Sequence, residues 1–138
     1  MANKSLEKLK EYIEASNYRG YDPYDALKSP FFKLPILKSN KLLRFGIQQL
    51  VKRLPFSTRP LLFVPKGYNP VTLGLCIQAY AYLYKAEPEN NEKYEEKINC
   101  LIQELKQLIP KGYSGACWGY DFDWEARQAK IPAYQPTV

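Results

Sequence analysis

Four stretches of the chain have the hydrophobic and polar spacing that is typical of helices. In residues 3–16, 40–54 and 92–109, apolar side chains recur every three or four positions and charges fill the other faces. Residues 71–84 are apolar nearly all round and follow Asn69-Pro70, a preferred N-cap with a proline suited to the first turn. Residues 17–38 look irregular and residues 55–69 extended. The pattern therefore predicts an all-α fold.

The two helices over residues 71–84 and 92–109 predict an αα-hairpin with an inner and an outer member. A helix that is apolar on every face must be covered on every face, whereas a single stripe needs one neighbour. Such hairpins are the repeating unit of α/α toroids and solenoids. We therefore predict part of an (α/α) toroid that is incomplete, an N-terminal fragment of a longer protein. Residues 1–138 would form one domain, with the first helix and irregular segment in residues 1–38 and helical hairpins in residues 39–138.

Incomplete cover of the inner helix predicts exposed apolar surface. The other helices are one-sided, so one of the two tryptophans and part of the following set are expected to be exposed: Leu73, Ile77, Tyr80, Tyr82 and Tyr84. Apolar patches above a few hundred Å² seldom stay bare in solution. We therefore expect this chain to self-associate on its own.

The composition excludes several classes of protein. With 138 residues, 46% of them apolar, the chain suits a packed domain rather than a disordered segment. No apolar run approaches the about 20 residues of a membrane-spanning helix, and the charged N-terminal stretch lacks the apolar region of a secretory signal. The absence of histidine excludes Ser-His-Asp and Cys-His catalysis and histidine-ligated metals. We expect no cofactor and a cytoplasmic location.

The cysteine pattern agrees with that location. Cys76, Cys100 and Cys117 are odd in number, far apart and in no CxxC pair. This spacing argues against a disulfide framework or a zinc site. The three residues are predicted to be reduced core thiols.

Positive charge is concentrated in one block. Residues 26–86 hold ten of the twenty lysines and arginines and none of the fourteen acidic residues. The block has two interpretations. It binds an anionic partner, or it forms a solvated face whose charges pair with the acidic residues on either side of it in the sequence. Residues 36–54 mix leucines with Lys41, Arg44, Lys52 and Arg53, as interfacial helices do, so an anionic membrane surface is one candidate partner, with the chain peripheral to the inner membrane. Nucleic acid is disfavoured because no recognisable nucleic-acid-binding motif is present.

Residues 112–125 concentrate aromatic and acidic side chains. Trp118 and Trp124 lie there with three carboxylates, Asp121, Asp123 and Glu125. Aromatic rings can cover the C–H face of a sugar while charged groups bind its hydroxyls, and paired carboxylates suit glycosidic acid/base chemistry. The alternative is that the tryptophans anchor a core and the acids are structural. Residues 18–25 have a similar aromatic and acidic character.

These clusters belong to three stretches that carry a family resemblance. The stretches are Gly20-Tyr21-Asp22-Pro23-Tyr24-Asp25-Ala26-Leu27, then Arg59-Pro60-Leu61-Leu62 with Lys66-Gly67-Tyr68-Asn69-Pro70, and Trp118-Gly119-Tyr120-Asp121-Phe122-Asp123-Trp124-Glu125. In order and spacing they resemble the N-terminal portion of bacterial α/α-toroid proteins related to six-hairpin glycosidases. Some members are labelled aminolevulinate dehydratases. The resemblance spans about residues 17–138, and its third stretch is the most specific. Glu125 departs from the family, which often has glutamine there.

The resemblance implies a toroid fold and a role in the biosynthesis or modification of bacterial surface or capsular polysaccharide. The ligand would be a glycan or a sugar phosphate. The expected substrate-binding residues are Trp118, Tyr120, Trp124, Arg127, Asp22 and Tyr24. Asp123 would bind a hydroxyl or act as general acid or base, and Arg127 would hold an acidic sugar or a phosphate. No established reaction comes with the family, so binder and enzyme both stay open, and the fragment alone is expected to be inactive. The alternatives are a basic module for an anionic membrane surface and a structural or interaction fragment with no activity of its own.

Overall fold

Helices dominate the secondary structure. The computed structural model describes residues 2–136, of which the helical share is 56% and the strand share 5%, so the fold is all-α. The α-helices are α1 (Ala2–Ala15), α2 (Pro35–Ser39), α3 (Lys41–Arg53), α4 (Pro70–Ala86) and α5 (Asn91–Gln107), with 3-10 turns at Asp25–Lys28, Pro30–Lys33 and Pro88–Asn90. Two short antiparallel strands follow, β1 (Trp124–Glu125) and β2 (Lys130–Ile131). In residues 2–136 no helix combines the length and the apolar character needed to cross a membrane.

The predicted hairpin is formed by α4 and α5, and it holds the main core. Asn69 caps α4, because its Oδ1 accepts hydrogen bonds from the backbone N–H of Val71 at 2.9 Å and of Thr72 at 3.4 Å. A short turn then reverses the chain into α5. The core side chains come from both helices: Leu73, Cys76, Tyr80, Tyr94 and Leu101.

The C-terminal end of α1 is tied to the hairpin through a half-buried polar network. The Tyr80 hydroxyl donates to Glu14 Oε1 at 2.7 Å, and Lys97 Nζ lies 2.9 Å from the same oxygen. Ile13 packs against the core beside this network. Earlier in α1, Leu6 and Leu9 stay exposed, so only the last turns of the helix are anchored.

One face of α4 is left uncovered. Val71, Leu75 and Tyr82 are exposed at 44%, 60% and 64%. The predicted exposure is therefore confirmed at Tyr82 and Tyr84, while Leu73 and Tyr80 are buried against α5.

The prediction that a tryptophan would also be exposed is wrong, because both tryptophans are half-buried. The Trp118 indole N–H donates to the Leu105 carbonyl at 2.8 Å, near the end of α5. The Trp124 ring packs against Tyr24. Each tryptophan thus has a partner within its own chain.

Helix α3 is rotated about its axis relative to the orientation predicted from its apolar stripe, which ran through Leu43, Ile47, Leu50 and Leu54 and was widened by Leu42, Gly46 and Val51. Leu43 and Leu50 are exposed, whereas Val51 at the edge of the stripe and Gln48 beyond it face the interior. The reason is that the Gln48 side chain pairs with the backbone of β1, donating to the Glu125 carbonyl at 3.0 Å and accepting from its N–H at 2.9 Å. An amide that satisfies two buried backbone groups outweighs leucine burial on this face.

The segment before α3 also differs from its expected irregular form. It contains the short helix α2, and α2 and α3 are separate because Asn40 caps α3 by accepting from the Leu43 N–H at 3.1 Å. Residues 36–54 are therefore two helices rather than one.

The cysteines are free, but only Cys76 belongs to the core. Burial raises the pKa of its thiol. Cys100 is exposed on α5 and Cys117 is half-buried, so the prediction of three core thiols is wrong for these two. Their positions on the helix surface and in the C-terminal segment follow from the single apolar stripe of α5 and the irregular path after it.

Truncation of a core leucine should destabilise the hairpin strongly. Leu101 is 1% exposed, and Leu101→Ala is expected to lower the free energy of unfolding by about 2–5 kcal/mol, since it removes buried apolar atoms and leaves a cavity. Leu75→Ala, at a position 60% exposed, is the matched control and should cost at most about 0.5 kcal/mol. Urea denaturation followed by circular dichroism measures both. Equal losses would contradict the assigned core.

Candidate functional site

The three motif segments, which begin at Gly20, Arg59 and Trp118, meet in space. Gly20 and Gly67 form an antiparallel bridge, with N–H to carbonyl distances of 3.0 and 2.9 Å in the two directions. Lys28, the residue directly after the first segment, donates from Nζ to Asp121 Oδ2 of the third segment at 2.8 Å. Stretches far apart in the sequence thus surround one region of the surface.

Gly67 lies in close contact with this ion pair. A Cβ atom at position 67 would overlap Asp121 Oδ2 and Lys28 Nζ. The Lys28–Asp121 ion pair therefore lies directly against the backbone of the second segment, and a larger residue at position 67 would require these two side chains to shift.

A polar cluster holds the first two segments in place. Arg59 donates to Asp25 Oδ1 at 2.7 Å and to the Asp22 carbonyl at 2.8 Å. Asn69, besides capping α4, donates to Asp22 Oδ2 at 3.1 Å. The side chains of Arg59 and Asp25 are only 12% and 3% exposed. Buried charges of this kind need partners, so these motif residues shape the loops.

The segments enclose a cavity of about 180 Å³, here called the tyrosine cavity. Its wall includes several aromatic rings, those of Tyr12, Tyr18, Tyr21, Tyr68 and Phe122. Its polar and charged lining residues are Ser16, Arg19, Asp22, Asp25, Lys28, Asn69, Thr72 and Asp121. The Arg19 guanidinium lies 4.7 Å from the centre of the Tyr68 ring, a cation–π distance that orients this ring.

A second cavity, of about 450 Å³, lies beside the first and is here called the basic cavity. Five cationic side chains line it, with Asp123 as the one carboxylate of the lining: Lys28, Lys33, Lys38, Arg44 and Lys130. Lys28 lines both cavities, so the two share a wall.

The three carboxylates of the third segment each have a cationic partner. Asp121 pairs with Lys28 at 2.8 Å, Glu125 pairs with Arg44 at 2.7 Å, and Asp123 pairs with Lys130. Two of these cations belong to the basic block of residues 26–86. The basic block thus pairs in part with acidic residues that follow it in the sequence. This was one of the two interpretations of the block; the other was binding of an anionic partner.

The predicted site residues are divided among several places. Asp22 lines the tyrosine cavity and Asp123 the basic cavity. Trp124 contacts Tyr24, with ring centres 5.8 Å apart, and the Tyr24 ring also lies 4.1 Å from Lys52 Nζ.

Three further predicted residues lie away from the contact between Trp124 and Tyr24. Tyr120 stacks on Phe122 at 5.2 Å, and Trp118 anchors to the end of α5. The Arg127 side chain is exposed on the β1–β2 turn, where its carbonyl accepts from Lys41 Nζ at 2.9 Å. The predicted set is therefore not one continuous site.

Asp123 is held as a carboxylate. Partial burial acts to raise its pKa, but the Lys130 ammonium and the Ala133 N–H, which donates to Oδ1 at 2.8 Å, lower the pKa overall. A lowered pKa suits a hydroxyl ligand or a base better than a general acid. Its catalytic role stays a prediction.

Several residues of the two cavities were not among the predicted site residues. Tyr21 and Tyr68 stand inside the quoted motifs, each beside a glycine of the bridge, so the motifs held a signal for them. Tyr12 lies on α1 and Lys33 on a 3-10 turn, and only the folded chain brings them to the cavities. No group of three or more cysteine, aspartate or glutamate side chains within residues 2–136 is arranged to hold a metal ion.

Comparison with protein-family models, with curated proteins and with solved structures finds no match for this chain. The two cavities and the motifs that surround them are therefore the features that point to a function.

The ionised state of Asp123 should contribute to stability in a pH-dependent way. Because its folded pKa is lowered, the contribution is present above the unfolded pKa of about 3.9 and is lost as pH falls through the folded pKa. Asp123→Asn should therefore lower the free energy of unfolding at pH 7, and the gap from the wild type should shrink below about pH 4. Urea denaturation between these pH values measures the gap. Glu89→Gln, in the exposed turn before α5, is the control, and a gap for Asp123→Asn that is constant with pH would contradict the assignment.

Proposed function

We propose that the chain binds a carbohydrate in the tyrosine cavity and serves in the biosynthesis or modification of a bacterial surface polysaccharide. The observation that carries this proposal is the convergence of the three motif segments on one cavity walled by tyrosines and bordered by carboxylates. Aromatic rings cover the C–H face of a sugar, while fixed polar groups bind its hydroxyls. The polysaccharide context comes from the resemblance of the same segments.

The size of the cavity favours a single sugar ring. Its volume of about 180 Å³ is below the about 300–1,000 Å³ of pockets that enclose drug-sized ligands. A longer glycan would place one ring inside and extend outward. The hydroxyls of Ser16 and Thr72 line the cavity and suit hydrogen bonding to such a ring.

Binding is better supported than catalysis at this cavity. Asp121 is engaged by Lys28, and Asp22 accepts from Asn69 and from the Tyr24 N–H. Carboxylates that already accept hydrogen bonds and hold neighbouring segments in place are poorly suited to transfer protons during a reaction. We therefore assign recognition of a sugar to this cavity and no reaction.

The toroid is part of the same proposal. The hairpin of α4 and α5 has the form of one inner and outer pair, and the uncovered face of α4 offers apolar side chains to a neighbouring hairpin. Further hairpins packed on this face would complete the cover that the apolar character of α4 requires.

Removal of a cavity tyrosine should weaken glycan binding. Tyr21→Ala is expected to lower affinity about tenfold, or about 1–2 kcal/mol, because one face of the bound ring loses its contact. Tyr82→Ala, an exposed tyrosine on α4 outside the cavity, is the matched control and should bind as the wild type does. Binding is measured on an array of bacterial surface glycans, with circular dichroism to verify folding. Equal loss in both variants, or no glycan bound by the wild type, would contradict the proposal.

A second candidate function is attachment to an anionic membrane surface, favoured by the outward face of α3. Leu42 and Leu50 are 80% and 58% exposed and lie two turns apart on one side of the helix. Lys41, Lys52 and Arg53 are exposed on the same short helix. Leucines flanked by lysine and arginine are typical of helices that lie in the interface of a bilayer.

Vesicle binding tests this second candidate. The double variant Leu42→Ser and Leu50→Ser should bind vesicles of phosphatidylglycerol at least tenfold more weakly than the wild type, because the apolar face that enters the bilayer is lost. The control is Val71→Ser with Leu75→Ser, which removes exposed apolar residues from α4 instead. Co-sedimentation at equal protein concentration measures both. Equal losses, or wild-type binding to neutral phosphatidylcholine at the same level, would contradict membrane attachment through α3.

A further inference from the structure

The cations of the basic cavity come from separate parts of the chain. Lys28 and Lys33 end the first two 3-10 turns, Lys38 lies in α2, Arg44 in α3 and Lys130 in β2. The sequence from residue 26 to residue 86 contains no acid, so the turns and helices on this side bring no negative charge with them. Cations therefore approach the cavity from several directions.

The cavity keeps a net positive charge after its ion pairs are counted. Three of its five cations are matched by carboxylates, namely Asp121, Asp123 and Glu125. Within residues 2–136, Lys33 and Lys38 have no carboxylate within 4.0 Å of their ammonium groups. Two positive charges are thus left at the edge of a concave surface, where a bound anion would be attracted.

Donor groups also remain free among the paired cations. Arg44 uses Nε on Glu125 and one terminal nitrogen on the Lys38 carbonyl, and in the described part of the chain its other terminal nitrogen has no acceptor. Ser29, 2% exposed, accepts only a long 3.4 Å bond from the Phe31 N–H, so its O–H can donate. The cavity thus offers buried and half-buried donors beside the exposed lysines Lys33 and Lys38.

This set of donors fits a phosphoryl group better than a carboxylate. A phosphoryl group has three oxygens that point in different directions and carries close to two negative charges, whereas a carboxylate is planar and carries one. Donors that converge from several elements match the first geometry. Lys28, which lines both cavities, connects this site to the proposed sugar site.

We infer that the basic cavity binds the phosphoryl group of a phosphorylated sugar whose ring occupies the tyrosine cavity. The inference names the substrate class and rests on the proposed carbohydrate function. The phosphoryl ligands are Lys33, Lys38, Arg44 and the Ser29 hydroxyl, with Lys28 between the ring and the phosphate. The sequence-based assignment of this role to Arg127 is replaced, since that side chain is exposed on the β1–β2 turn and lines neither cavity.

Calorimetric titration with three probes tests the inference: glucose-1-phosphate, inorganic phosphate and glucose. The double variant Lys33→Ala and Lys38→Ala should bind glucose-1-phosphate at least tenfold more weakly than the wild type. The control, Lys85→Ala with Lys106→Ala, removes the same charge from exposed positions on α4 and α5 and should change the affinity less than twofold. Circular dichroism verifies that both variants fold.

The outcomes separate this inference from the proposed function. Inorganic phosphate that binds as tightly as glucose-1-phosphate, and depends on Lys33 and Lys38, supports the phosphoryl site and counts against the sugar site. Glycan binding in the tyrosine cavity without any phosphate binding overturns the inference and leaves the proposed function in place. Equal loss in the two double variants overturns it as well, because the attraction would then come from the overall charge.

Discussion

The buried interaction between α3 and β1 decides how the C-terminal half is arranged. Glu125 is 2% exposed and pairs with Arg44, while Gln48 satisfies both backbone groups of the same residue. A buried carboxylate without such partners would cost several kcal/mol. The face of α3 that carries Arg44, Gln48 and Val51 is therefore turned inward, which leaves Leu42, Leu43 and Leu50 exposed and brings Arg44 to the basic cavity.

The loops around the cavities depend on a similar use of buried charge. Arg59 binds Asp25 and the backbone of Asp22, and Asn69 joins Asp22 to the start of α4. Arg59 and Asn69 each bond to more than one group, so loss of either leaves Asp22 or Asp25 with one hydrogen-bond partner fewer. The charged and amide side chains of the motifs thus hold the loops in place. The groups left for a ligand are the tyrosines, hydroxyls and lysines that these loops place around the two cavities.

The rings of the tyrosine cavity are tyrosines and Phe122, and neither tryptophan lines it. Trp118 and Trp124 sit in the most specific motif, yet each is engaged by Leu105 or Tyr24 within the chain. Tyr21 and Tyr68 flank the glycine bridge and face a cavity. A large aromatic side chain in a motif can pack in the core or against a ligand, and the two roles use the same apolar ring. Only its neighbours in the fold distinguish them.

The sequence by itself determined the elements whose cause is local. The spacing of apolar residues predicted the four main helices, Asn69-Pro70 marked the start of α4, and the all-round apolar character of α4 anticipated the exposed Tyr82. The tertiary structure alone decided the orientation of α3, the two cavities and the pairing of the three carboxylates of the third segment with their cations. Periodicity says which residues share a face of a helix, but it does not say whether that face meets leucine or the backbone of a distant strand. That choice is made by long-range contacts such as the one between Gln48 and Glu125, 77 residues apart. Leaving a buried polar group without a partner costs more free energy than leaving a leucine exposed.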